Sequence, residues 1–127
     1  MSRISVESKN APRAIGPYSQ ACRSEKGKTL YLSGQIPLDP QSGEIVPGDA
    51  ARQAERCLEN LKAVLEEAGL GMENVLRCTI YLTDLRNFAA VNEVYGRYFR
   101  PPYPARVTVQ VAALPRGAAV EIDAIAE

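Results

Sequence analysis

Apolar residues recur along this chain with two periods, and the switches between them lay out its elements. Between Asp49 and Gly69 they fall at Ala54, Cys57, Leu58, Leu61, Val64, Leu65 and Ala68. Those spacings of three and four gather on one face of a helix, with Asp49 placed to cap its start and Gly69 to end it. A second helix is predicted after Asp84, with Phe88, Val91, Tyr95 and Tyr98 on its apolar side and Pro101 and Pro102 closing it. Elsewhere the period is two. Residues 75–82, 105–111 and 120–125 read as strands; in the last, Val120, Ile122 and Ala124 share one face and Glu121, Asp123 and Ile125 the other. Upstream, residues 4–7 read as a short strand. Asn10-Ala11-Pro12 and Ile15-Gly16-Pro17-Tyr18 break periodic structure, and residues 18–24 and 29–33 read as strands around the turn at Lys26-Gly27-Lys28. Residues 37–48 carry three prolines and two glycines and read as a loop.

Strands, a helix, a strand, a helix and more strands make an α+β arrangement of roughly six strands in a mixed sheet with both helices on one face. Two helices do not cover both sides of such a sheet. The other side still carries alternating apolar residues such as Val107, Val109 and Val111, so the pattern predicts that copies of the chain cover it. The length of 127 residues fits one domain spanning 1–127.

Composition narrows the chemistry. Fifteen basic and fifteen acidic residues cancel, so no summed field draws the chain to nucleic acid or to an anionic membrane. No stretch approaches the ~20 apolar residues that span a bilayer, and the first residues do not resemble a secretory leader, so a cytoplasmic location is expected. Cys22, Cys57 and Cys78 form no CxxC pair and read as free thiols in a reducing compartment. There is no histidine, which removes the commonest general base and the commonest metal ligand. Neither a metal nor a cofactor is expected. Chemistry falls to carboxylates, arginine, tyrosine, hydroxyls, thiols or backbone groups.

Polar or constrained groups stand out where a plain sheet does not need them. Arg106 opens an otherwise apolar strand, and its guanidinium fork suits either a structural ion pair, Glu121 being one candidate, or a bound carboxylate. Glu121, between Val120 and Ile122, either faces water or sits partly buried as a base of raised pKa acting on a water molecule. Asn92 lies on the apolar side of the second predicted helix, where a buried amide needs partners, in a loop or in a site. Tyr18 after Gly16-Pro17 is either a packing residue or a phenol presented by a rigid turn. Ser33 and Gly34 end a strand by turn chemistry or by the needs of a site. From residues alone the reading stops at an oligomeric α+β protein with a candidate anion site at Arg106.

Taken in order, these segments resemble the Rid (YjgF/RidA-like) family of enamine and imine deaminases. The resemblance is carried by Ala14-Ile15-Gly16-Pro17-Tyr18-Ser19-Gln20, Leu32-Ser33-Gly34-Gln35-Ile36-Pro37, Gln53 with Leu58-Glu59-Asn60-Leu61, Tyr81-Leu82-Thr83-Asp84-Leu85 with Phe88 and Val91-Asn92, Pro104-Ala105-Arg106, and residues 120–126. Each motif is weak alone; six in sequence, spread over nearly the whole chain, are specific. The resemblance implies a chorismate-mutase-like fold assembled as a homotrimer with three clefts between subunits. It further implies hydrolysis of 2-aminoacrylate, 2-iminopropanoate and 2-iminobutanoate to 2-keto acids and ammonia. Arg106 would bind the substrate carboxylate and Glu121 would hold or activate the water, while Tyr18, Ser33, the Gly34 backbone and Asn92 would shape the cleft and orient that water. Many members carry a cysteine two positions after the arginine, where this chain has Thr108. Thiol chemistry is impossible there, which favours a water-based mechanism. The competing readings are a trimer that binds small acids without turnover, and an RNA-interacting, ribonuclease-like translation inhibitor.

Overall fold

Asp49 starts the long helix as its sequence position predicts. Its side chain accepts a hydrogen bond from the Arg52 N–H at 3.0 Å, satisfying one of the amides a helix start leaves unpaired. The computed structural model describes residues 2–127. In it, β1 (Arg3–Val6), β2 (Ala21–Ser24) and β3 (Leu30–Gln35) precede helix α1 (Ala50–Glu67); β4 (Val75–Leu82), helix α2 (Phe88–Gly96), β5 (Ala105–Gln110) and β6 (Val120–Ala126) follow. The six strands form one sheet in the order β1-β2-β3-β6-β4-β5, antiparallel throughout except for the parallel pair β4 and β5, which α2 connects. No helix among the described residues is long and apolar enough to cross a membrane.

The helical period of α1 becomes a buried face: Ala54, Cys57, Leu58, Leu61, Val64 and Leu65 are all at most 1% exposed. They pack on the sheet side formed by Cys78, Ile80 and Leu82 of β4 and Val120, Ile122, Ala124 and Ala126 of β6. Each fully buried leucine or isoleucine contributes about 1.5–3 kcal/mol of apolar transfer, so this seam dominates the stability. Gly69, at φ +78°, adopts the left-handed turn that ends α1. Both helices lie on this one side, as predicted. The opposite side leaves Tyr31, Val107 and Val109 exposed.

Several boundaries depart from the sequence reading. The first strand spans Arg3–Val6, one residue earlier than expected. The second starts at Ala21 rather than at position 18, because Pro17 has no N–H and Tyr18 donates its own to Gly16 in a tight turn (2.8 Å). Within 37–48 an isolated antiparallel bridge joins Leu38 and Ile45. Asp84 caps a 3-10 turn, Leu85–Asn87, through the Arg86 N–H, and α2 begins only at Phe88. Helix α2 stops at Gly96, well before Pro101, and Tyr98 lies past its end with its hydroxyl donating to the Glu59 carboxylate (2.7 Å). Its buried stripe is Val91, Val94 and Tyr95. Phe88 and Asn92 are exposed, so the expectation of a buried Asn92 amide is corrected: Asn92 lies ~100° round the helix from Val91, towards the edge of the sheet.

Candidate functional site

The strand pattern divides the predicted site residues between two places. Strand β5 lies at the edge of the sheet, with Arg106 opposite Cys78 and Thr108 opposite Ile80. Since Cys78 and Ile80 point into the helix-covered core, Arg106 and Thr108 lie on the helix side, and Val107 and Val109 on the open side. On β6, Val120 and Ile122 are core residues, so Glu121 and Asp123 between them face the open side. Arg106 and Glu121 are thus separated by β4 and lie on opposite faces of the sheet. The ion pair between them that the sequence left open does not form.

Around Arg106 the structure builds a shelf. The guanidinium Nη1 donates to the Asn92 side-chain oxygen at 2.7 Å. The Cζ carbon lies 4.9 Å from the Tyr95 ring centre and 5.7 Å from that of Phe88, within range of cation–π attraction. Among the described residues no carboxylate pairs with Arg106, and the residue is exposed. A permanent cation fixed by one hydrogen bond, with its remaining N–H groups unclaimed by acids, is equipped to receive an anion. The Thr108 hydroxyl, on the same side of the strand, is buried without a hydrogen-bond partner.

Around Glu121 the structure builds a cleft of about 370 Å³, lined by Ile15, Tyr18, Ser33, Gly34, Ile36, Pro115 and Glu121. Its geometry starts from an irregularity in β3. Leu32 pairs with Ala124 but Gln35 pairs with Ile122, so three steps on β3 match two on β6, and the bulge falls at Ser33-Gly34. The Ser33 hydroxyl donates to the Ser19 carbonyl at 2.6 Å, and the Ser33 N–H to the Gln20 carbonyl at 2.9 Å, fixing the bulge against the segment that carries Tyr18. The Tyr18 hydroxyl accepts from the Ile15 N–H at 3.2 Å. The Glu121 carboxylate lies so close over Gly34 that a side chain at that position would collide with it. Burial raises the pKa of Glu121, and the neighbouring Asp123 charge raises it further. Asp123 itself is held by the Thr79 N–H (3.1 Å) and the Tyr81 hydroxyl (3.0 Å). A second recess of about 510 Å³ shares Tyr18 and Ser33 and runs on over Cys22 and Tyr31.

Tyr18, Ser33, Gly34 and Glu121 therefore meet in one cleft, Arg106 and Asn92 meet on one shelf, and a single chain does not bring the two groups together. Sequence reasoning missed the roles of Tyr95, Phe88 and Pro115. For the first two a signal existed: Phe88, Asn92 and Tyr95 fall at i, i+4 and i+7, a stripe on one helix face. Pro115, in a loop, gave none. Among the described residues no group of three or more His, Cys, Asp or Glu side chains could hold a metal ion.

Comparison with known proteins agrees along the full length. The family described as Endoribonuclease L-PSP, which includes the Rid proteins, matches residues 8–127. Protein DfrA of Myxococcus xanthus is 64% identical over 126 residues, covering 99% of this chain and 96% of the relative. The 2-iminobutanoate/2-iminopropanoate deaminase of Mus musculus is 49% identical, covering 95% and 88%. The crystal structure of RidA from the Antarctic bacterium Psychrobacter sp. PAMC 21119 superposes with a TM-score of 0.91 at 45% identity, covering 97% of this chain and 98% of that one. Matched over nearly its whole length by the family model and by such relatives, the chain belongs to the Rid (YjgF/RidA-like) family.

Proposed function

We propose that this protein hydrolyses reactive 2-imino and enamine acids, such as 2-aminoacrylate, 2-iminopropanoate and 2-iminobutanoate, to 2-keto acids and ammonia. We further propose that it does so as a homotrimer with its sites between subunits. The observation that carries this reading is Arg106: exposed, free of any acid among the described residues, and oriented by Asn92. The mouse relative's name as a deaminase of these imino acids supports it. So does the division of the site, since a cleft with a base and a shelf with an anion binder complement each other only when two copies meet.

In this mechanism Arg106 of one copy clamps the substrate carboxylate, turning a chance encounter with water into a positioned one. Glu121 of the next copy holds a water against the imine carbon and takes its proton as the C–O bond forms. The nitrogen receives that proton to give the neutral carbinolamine. Glu121 then passes the carbinolamine's hydroxyl proton to the same nitrogen, the C–N bond breaks, and ammonia leaves as the carbonyl forms and the carboxylate is restored. Tyr18, Ser33 and Gly34 shape the wall that holds the water. An imine is already electrophilic, so one clamp and one base suffice.

The test is release of pyruvate or 2-oxobutanoate when a dehydratase supplies the imine from serine or threonine, with semicarbazide trapping the imine directly. Arg106→Ala is expected to lose at least tenfold in rate, as a charge-assisted contact is worth roughly 1.5–3 kcal/mol. A wild-type rate in that variant eliminates the clamp. The family description as an endoribonuclease favours a second reading, RNA cleavage. A chain with no histidine and zero formal net charge is poorly equipped for it. RNA binding that weakens steeply with salt, together with cleavage, would support it.

A further inference from the structure

We propose that Tyr95 is a positioning residue for Arg106, its ring serving as the platform that holds the guanidinium ready for a carboxylate. The proposal rests on the reading of Arg106 as the substrate clamp and says what keeps that clamp in place. A guanidinium on an edge strand with no acid beside it has nothing ionic to fix it, and arginine's four rotatable bonds let it wander. The surrounding contacts restrict it. Asn92 sets its rotation through the 2.7 Å hydrogen bond to Nη1, and the Tyr95 ring lies 4.9 Å from Cζ. Asn92 is exposed, whereas Tyr95 is 5% exposed and packs at 4.6 Å on Phe99, itself buried. The rigid partner is the tyrosine. An aromatic face attracts the cation without consuming an N–H, leaving the fork's donors for the substrate; a carboxylate in the same place would compete with it.

The Tyr95 hydroxyl takes no part. It is buried beside the Cys78 thiol and makes no hydrogen bond of good geometry, the thiol being at best a weak partner. The platform therefore needs the ring alone, which separates this role from catalysis by the phenol. Phenylalanine is expected to serve equally well, and to stabilise the fold slightly by removing an unsatisfied polar atom.

The experiment compares three variants in steady-state imine hydrolysis and thermal melting. Tyr95→Phe is expected to keep the wild-type KM with an equal or higher Tm. Tyr95→Leu is expected to raise KM by about 3- to 30-fold, the range of a partly desolvated cation–π contact, with kcat changed less than threefold as uniform binding requires. Phe99→Leu, which loosens the backing of the ring but keeps its face against the guanidinium, is expected to lower Tm and to raise KM by much less than Tyr95→Leu. An unchanged KM in Tyr95→Leu, or an equal rise in Phe99→Leu, overturns the proposal. A readout independent of turnover is the Arg106 Nε–H resonance, assigned by its loss in Arg106→Lys. The aromatic ring should shift it in the wild type and in Tyr95→Phe but not in Tyr95→Leu. A wild type that neither hydrolyses imines nor binds 2-oxobutanoate sinks the deaminase reading, while that resonance still decides whether Tyr95 fixes the guanidinium.

Discussion

The Glu121 carboxylate occupies the space directly above Gly34, where any other residue would place its Cβ. The contact explains both residues at once. The bulge at Ser33-Gly34 brings the β3 backbone up to the carboxylate, and only a residue without a side chain lets it approach. Gly34→Ala is expected to displace Glu121 by about an ångström and to cut kcat by roughly 10- to 100-fold. The carboxylate end can swing aside, so the melting temperature should change little. Parallel kcat and melting measurements check this; a large loss of stability would mean that the glycine serves the fold instead.

Glu121 carries an opposed pair of consequences. Burial and the Asp123 charge raise its pKa in the folded protein, so folding favours the protonated form. The sign follows from linkage: the group's contribution to stability is fully present below its unfolded pKa and is lost as pH rises through the raised folded value. At neutral pH the ionised carboxylate is therefore a burden on the fold. Glu121→Gln is expected to melt higher than wild type at pH 7, with the gap closing as pH falls below the carboxylate range. The same variant removes the proposed base, and activity should drop by about 10²-fold or more. In the wild type, kcat should decline on acidification at a pH above that of an ordinary glutamate. A variant that is both inactive and less stable at pH 7 contradicts the assignment of burial as the cause.

Much of this was legible in the sequence, and what escaped did so for physical reasons. Helix α1 and strands β4 and β6 announce themselves because one face of each is buried almost completely, so burial enforces the period. The α+β class with a six-stranded mixed sheet and two helices on one side followed from those periods. Helix α2 was placed less well. It has nine residues and sits near a sheet edge, and its exposed flank uses Phe88 and Asn92 for a contact with Arg106 that periodicity reads as core. The face on which Arg106 lies depends on the parallel pairing of β4 and β5, a long-range register that no local pattern encodes. Tyr18, Ser33, Gly34 and Glu121 stood out as polar or constrained groups, but only the resemblance to a family suggested one cleft, since Ser33-Gly34 looks like an ordinary strand end until its bulge is seen.

Asn60 links the long helix to the cleft wall. It is 0% exposed; its amide donates to the Leu38 carbonyl at 3.1 Å and the Ile36 carbonyl at 3.4 Å, and its oxygen accepts from Arg56 at 3.0 Å. Asn60→Ala leaves the Leu38 carbonyl without its donor and the Ile36 carbonyl with only the Leu38 N–H at 2.7 Å, at a cost of about 1–3 kcal/mol. Chemical denaturation should show that loss. Hydrogen exchange should quicken first in residues 36–46, because Asn60 holds that segment against α1. Uniformly faster exchange would mean that the residue supports the whole core.

Arg106 and Glu121 lie on opposite faces of the sheet, so a site that uses both must draw them from different copies, and mixing variants tests this. If each site takes Arg106 from one copy and Glu121 from the next, Arg106→Ala and Glu121→Gln are each inactive for a different reason, and each retains what the other lacks. Mixed in equal amounts and allowed to exchange subunits, they should form intact sites wherever a copy with its arginine precedes a copy with its glutamate. For a closed head-to-tail ring with random mixing that is about one quarter of all sites, so about a quarter of the wild-type rate should return. The rate should stay near zero if either variant is mixed with the double mutant, which supplies no missing group. Activity that remains at the sum of the two parents after verified subunit exchange would place both groups in one chain's chemistry. That outcome would require Arg106 to leave the Asn92 and Tyr95 shelf altogether.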